Sequence, residues 1–369
     1  MTIPPPFSSA AIFRDAFETG LDTLLRQDQG LGAYILVLAN AGFDSRIWDH
    51  LASPLRDRFE QLARGYWELQ QQGEAPQATA DDLAVFQRLL DLGFAGLEHT
   101  AFRRCGPWEM QYNPLRSFRP PRISNRLVEG ISAPFDPDGF HFAKPFLRKE
   151  IFWEGDLAGH RVALFYNKFP FVELHGLLVP EYQKGAPQLL TREYHDYIGR
   201  LAETLGERLT GVGFGYNSYG AYASVNHLHF QMFVRSRPLP VADPRWLHNG
   251  GTAAYPADCT LFRSQDEAWE FIDELHHRQS AYNLVYLPEG IYCTPRPQQG
   301  SVETAPWSSG FAWHEMMGSF SLFDHGAFAQ LTESDLEQAL AASGLSIIPD
   351  TQFVAEQQST VESIATPFR

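Results

Sequence analysis

The sequence predicts an α+β protein, an antiparallel sheet system framed by helices and built as two related halves of which one carries the active site. Three observations carry this expectation. Helical spacings dominate the N-terminal part, a helix, strand, turn, strand order occurs twice further on, and one strand-like run places polar residues at every second position.

Residues 1–105 read as a mainly helical region. Amphipathic patterns run over Ile12 to Leu25, Ile47 to Leu69 and Leu83 to Leu97, and no chemical motif accompanies them. Residues 106–240 read as the first of the two related halves. Within it, Tyr194, Ile198, Leu201, Leu205 and Leu209 recur at helical spacing behind Thr191, a good N-cap residue. Residues 241–350 read as the second half, with a helix over Asp266 to Gln279, apolar strands at Tyr282 to Leu287 and Ile291 to Thr294, and a Pro288-Glu289-Gly290 turn between them. His276 and His277 are adjacent on that helix and diverge by about 100°, so they form no chelating face and are expected at the surface. Residues 351–369 form a Ser/Gln-rich tail that is loosely ordered or docks through Phe353 and Phe368.

The most informative run is His227-Leu228-His229-Phe230-Gln231. In a strand, alternate side chains share a face, so His227, His229 and Gln231 would line one side while Asn226, Leu228, Phe230 and Met232 line the other. A solvent-facing strand side is the bland explanation of such spacing. Against it stands the preceding segment, where Asn217, Ser218 and Gly220 supply turn chemistry, backbone N–H groups and hydroxyls suited to an anionic oxygen. A neutral imidazole can attack phosphorus, and a covalent nucleotidyl-histidine splits one difficult displacement into two easier ones. The nucleophile's tautomer would be set by a backbone carbonyl on its other nitrogen. Gln231 can donate a hydrogen bond to a phosphoryl oxygen but cannot act as an acid or base.

The run from Tyr216 to Gln231 resembles the histidine-triad superfamily, in the branch of galactose-1-phosphate uridylyltransferases and dinucleoside tetraphosphate phosphorylases, whose third histidine is glutamine. It is most similar to the GDP-L-galactose (GDP-hexose) phosphorylases. Asn167-Lys168-Phe169-Pro170, His175 to Pro180 and Trp313 to Gly318 resemble further family elements, so the likeness spans about residues 150 to 325. Leu174, His314 and Ser319 depart from the family pattern, which has Gly, Trp and His there.

The resemblance implies His229 as nucleophile, with His227 and Gln231 completing the catalytic set. Asn217, Gly220, Ser224, Asn167, Lys168 and Arg116 would bind substrate. It also implies transfer rather than hydrolysis: a nucleoside diphosphate sugar, GDP-hexose first, gives its nucleotide to His229 and then to phosphate or a sugar phosphate. A diadenosine tetraphosphate phosphorylase and a histidine-triad hydrolase are the enzymatic alternatives. A nucleotide-binding protein without turnover is the non-enzymatic one, against which the aligned polar residues argue. A homodimer is the family expectation.

His-x-His can also offer two ligands to zinc, with His175 or His314 as a third, but no Cys-x-x-Cys pair accompanies it, and neither metal nor cofactor is expected. Arg116, Arg119, Arg122 and Arg126 cluster in a Pro-rich stretch that reads either as a solvated connector or as local positive charge for a phosphate. The formal net charge of −15 disfavours a nucleic-acid polymer as partner. Cys105, Cys259 and Cys293 are an odd, scattered set, so no disulfide framework is expected. The opening Met1-Thr2-Ile3-Pro4-Pro5-Pro6 shows no signal-peptide pattern and no run is long enough to span a membrane, which together predict a soluble, cytoplasmic enzyme.

Overall fold

The computed structural model describes residues 3–118 and 127–346, so Arg119, Arg122, Arg126, Phe353 and Phe368 lie outside the described residues. Four helices open the chain: α1 (Ala10–Gln27), α2 (Leu31–Phe43), α3 (Ser45–Gln71) and α4 (Ala80–Leu92). Side-chain oxygens of Ser9, Asp44 and Thr79 accept from the first-turn N–H groups of α1, α3 and α4, satisfying donors that have no partner within the helix. Helix α2 is absent from the amphipathic spacings because it is buried on every side, from Leu31 through Phe43 with few breaks, and carries no polar stripe. The pattern over Leu83 to Leu97 ends early: α4 stops at Leu92 because Gly93, at φ 71°, turns the chain out of the helix.

The remaining elements are β1 (Ala101–Cys105), β2 (Trp108–Tyr112), α5 (Pro114–Ser117), β3 (Ile151–Leu157), β4 (His160–Tyr166), β5 (Gly176–Pro180), α6 (Arg192–Gly206), β6 (Val212–Asn217), β7 (Phe230–Val234), β8 (Thr260–Phe262), α7 (Gln265–His277), β9 (Ala281–Leu287), β10 (Gly290–Arg296), α8 (Trp313–Met316), β11 (Ser319–Leu322), α9 (His325–Gln330) and α10 (Glu333–Ser343). Thr191 caps α6 as its position predicts, and Ser264 caps α7. His277 is exposed, whereas His276 turns inward and meets the Tyr282 hydroxyl at 2.7 Å.

Eight strands form one sheet in the order β3-β4-β5-β7-β6-β9-β10-β8, antiparallel throughout. The two helix–strand–strand units, α6-β6-β7 and α7-β9-β10, thus share a single sheet through the β6–β9 ladder. A smaller sheet, β1-β2-β11, differs from the antiparallel expectation in one pairing, since β11 runs parallel to β2.

Strand alternation gives the large sheet two unlike faces. Leu178, Phe214, Tyr216, Phe230, Met232, Leu284 and Tyr286 pack with Phe17, Leu21, Leu36, Ile198 and Leu201 in one continuous core with the helices. Phe233, Val285 and Leu287 face the other way, against Trp313 and Met317, while Phe165 and Val179 meet Phe142. Between these two smaller clusters on the second face, the histidine run ends.

Candidate functional site

His227 and His229 are not inside the strand that their spacing predicts. Strand β7 begins at Phe230, and both histidines lie in its approach. The cause is a change of hydrogen-bond partner: Leu228 N donates to Ala186 O (2.9 Å) and His229 N to the side-chain Oε1 of Gln188 (3.0 Å), so the 186–188 segment takes the place of a neighbouring strand. The alternation of faces nevertheless persists. Leu228 and Phe230 enter the helix-side core, whereas the rings of His227 and His229 lie 5.6 and 5.1 Å from Phe142 on the opposite side.

Both tautomers follow from these contacts. His229 Nδ1 lies 2.8 Å from the carbonyl oxygen of His227; a carbonyl only accepts, so Nδ1 carries the proton and Nε2 keeps its lone pair. No group among the described residues engages that Nε2. His227 Nδ1 accepts from Phe142 N (3.1 Å), which puts its proton on Nε2, and that buried N–H has no partner among the described residues. Burial pushes both imidazoles down to about 4, with the neighbouring His229 adding to the effect on His227, so both are neutral at pH 7. The site therefore presents a neutral nitrogen lone pair beside a neutral N–H donor.

Gln231 lies between Leu177 on β5 and Gly215 on β6. Its Oε1 accepts from the indole Nε1 of Trp313 (3.0 Å) and is 3.1 Å from His175 Nε2. His175 Nδ1 accepts from Phe171 N (3.4 Å), which leaves the proton on Nε2 for Gln231; Asn167 Nδ2 also stands 3.2 Å from that Nε2. Burial, helped by the charge of Arg116, pushes His175 down to about 3, so it stays uncharged. Asn217 shows a similar arrangement: its Oδ1 accepts from Asn283 Nδ2 (2.8 Å) and from Trp313 N (2.8 Å). The NH2 groups of Gln231 and Asn217 donate to nothing among the described residues.

The other residues singled out from sequence divide. Asn167 lies against the site, its NH2 beside the protonated His175 Nε2 and so not hydrogen-bonded to it, while its Oδ1 accepts from Phe169 N (3.0 Å). Arg116 stacks 4.6 Å over Phe171, donates to Phe169 O (3.3 Å) and keeps a buried Nε without a partner among the described residues, so it brings positive charge to the His175 side. Gly220, at φ 90°, shapes the turn: a Cβ there would lie 2.2 Å from Gln298 Oε1 and 3.0 Å from Gly130 O. Ser224 is exposed in the loop before the histidines. Lys168 faces the helices instead, paired with Asp82 of α4 at 2.5 Å.

Leu174 adopts a φ of 50°, the left-handed region where glycine is free of strain. His314 is buried against Phe171, with a ring separation of 4.8 Å, and Ser319 donates to Glu109 (3.0 Å).

Two site residues carry no signal in the sequence. Gln188 receives His229 N and donates to the carbonyl oxygens of Asn217 (2.9 Å) and His229 (3.3 Å), stapling the end of β6 to the histidine run. Phe142 covers both imidazoles and is itself only 4% exposed. A lone Gln after Ala186-Pro187 and a Phe in a loop look like any others until the chain folds. Among the described residues, no group of three or more His, Cys, Asp or Glu is arranged to hold a metal ion, and no helix is long and apolar enough to cross a membrane.

Residues 109–233 match the family model described as GDPGP1-like, N-terminal domain. This stretch begins before the resemblance drawn from the motifs and ends before Trp313, and it includes His175, the Asn217 turn and the whole histidine run. The chain is 33% identical over 124 residues to GDP-D-glucose phosphorylase 1 of Macaca fascicularis and 34% identical over 108 residues to that of Danio rerio. These matches cover 31% and 29% of this chain, and the chain spans only 31% of the length of each relative. Yeast Ap4A phosphorylase Apa2 is similar in structure with a TM-score of 0.49 at 15% identity, over 74% of this chain and 97% of that one.

Proposed function

We propose that this protein is a nucleotidyltransferase of the phosphorylase type, which cleaves a nucleoside diphosphate hexose, GDP-glucose first, through a covalent nucleotidyl-His229. One observation carries the reading: His229 is neutral, donates its Nδ1 proton to the carbonyl of His227 and keeps an Nε2 lone pair that no described residue engages. The relatives over residues 109–233 are named GDP-D-glucose phosphorylases, which supports guanine and glucose as the donor's parts.

In the first step, Nε2 of His229 attacks the α-phosphorus. A P–N bond forms, the bond from that phosphorus to the bridging oxygen breaks, and hexose 1-phosphate leaves with the bonding electrons. A phosphate leaving group needs no proton at neutral pH, so a glutamine at position 231 suffices where an acid would be needed for a more basic leaving group. The positive charge that develops on the imidazole is stabilised by the Nδ1–H bond to His227 O. Charge on the phosphoryl oxygens meets His227 Nε2–H and the amides of Gln231 and Asn217, donors already in place before the reaction. Arg116 adds positive charge from the Phe171 side.

In the second step, an oxygen of inorganic phosphate attacks the same phosphorus, the P–N bond breaks, and the nucleoside diphosphate departs as His229 regains its lone pair. A sugar phosphate would use the same anionic subsite.

The test is intact-protein mass after brief mixing with GDP-glucose, UDP-glucose or diadenosine tetraphosphate in the absence of acceptor. A GMP adduct in the wild type that is absent in His229→Asn is the expected result. Undiminished labelling or turnover in His229→Asn would sink the nucleophile assignment, and an adduct with another donor alone would replace GDP-glucose.

A further inference from the structure

Trp313 opens α8 and meets the site with two different N–H groups. We infer that Trp313 is a positioning residue that orients two amides of the site at once, leaving their NH2 groups turned toward the phosphoryl oxygens; this rests on the transfer reading above. Its backbone N donates to Asn217 Oδ1 at 2.8 Å, and its indole Nε1 donates to Gln231 Oε1 at 3.0 Å.

A backbone N–H and an indole N–H can only donate, so each amide must present its oxygen to Trp313 and its NH2 elsewhere. Each oxygen has a second donor. For Asn217 it is Asn283 Nδ2 at 2.8 Å, whose own orientation is fixed because Arg296, another pure donor, occupies Asn283 Oδ1 at 2.6 Å. For Gln231 it is His175 Nε2 at 3.1 Å. Turning either amide over would break two hydrogen bonds and set like groups against each other.

The tryptophan is itself fixed. Its ring stacks on Phe233 at 5.2 Å and 9°, and it fits only because position 215 is glycine, where a Cβ would lie 2.2 Å from the ring. Gln188 bridges the carbonyls of Asn217 and His229, and Gln231 follows His229 by two residues, so both amides belong to segments tied directly to the histidine run. Donors oriented before the reaction need not reorganise as charge builds on phosphorus, which is where such groups contribute most.

The experiment is a double-mutant cycle on the rate of GMP-adduct formation from GDP-glucose in single turnover. Trp313→Phe keeps an aromatic ring on Phe233 and the backbone bond to Asn217 while deleting the indole N–H. It should slow adduct formation by about tenfold or more. In a Gln231→Ala background the same change should alter the rate by less than about twofold, because its target is gone. Equal effects in both backgrounds, or none in the wild type, would overturn the inference. A second readout is independent of turnover: the side-chain NH2 resonance of Gln231, assigned by its loss in Gln231→Ala, should shift on adding GDP to the wild type and not in Trp313→Phe. If no donor labels the wild-type protein, the functional reading falls and this resonance decides the inference: a shift lost with the indole upholds it, and no shift in the wild type rejects it.

Discussion

Acid should spare the nucleophile far below the pH at which an ordinary histidine is lost. Burial holds His229 down to about 4, against an ordinary value of 6.5. At pH 5.5 a group titrating near 4 is about 97% neutral and one titrating at 6.5 only about 9%, so the two cases differ roughly elevenfold in competent nucleophile. The assay is the single-turnover rate of His229 labelling by GDP-glucose between pH 4.5 and 8, since the diphosphate linkage of the donor does not itself titrate in this range. A rate nearly constant down to pH 5.5 and falling below it is expected. A midpoint near 6.5 would refute the link between burial and nucleophile state. Stability must be followed in parallel: a depressed folded value means that the unfolded chain binds protons first, so the contribution is complete above 6.5 and is lost as the pH falls toward 4. For His227 and His229, both near 4 in the fold, that loss is on the order of 1–2 kcal/mol each at pH 5.5. Phe142→Ala, which admits water beside both rings, should move the acid limb upward and so test the cause directly.

Other substitutions separate site from scaffold. Gln188→Leu leaves the His229 N–H and two carbonyls without their partner and should cost about 3 kcal/mol or more of stability, read by denaturant unfolding, with labelling slowed further than the stability loss explains. Lys168→Met removes the half-buried partner of Asp82 and should lower stability by about 1–3 kcal/mol while leaving the labelling rate and GDP affinity intact; a raised KM with unchanged stability would instead place Lys168 at the substrate.

Local chemistry in the sequence was enough for the alternation of His227, His229 and Gln231, the cap at Thr191, the repeated helix–strand–strand order and the need for a backbone carbonyl to fix the tautomer of His229. Each depends on neighbours a few residues apart, where period and side-chain chemistry act directly. Helix α2 escaped because a helix buried on all sides has no polar stripe to give it a period. The strand boundary shifted because the bonds that hold the histidine approach come from Ala186 and Gln188, about 40 residues earlier in the chain. The tertiary structure alone decided which carbonyl faces His229, that Lys168 turns to the helices while Arg116 turns to Phe171, and that Trp313 reaches both Asn217 and Gln231. Those outcomes are relations between groups that approach only when the sheet closes: sequence carries the donors and acceptors, and the fold determines which of them meet.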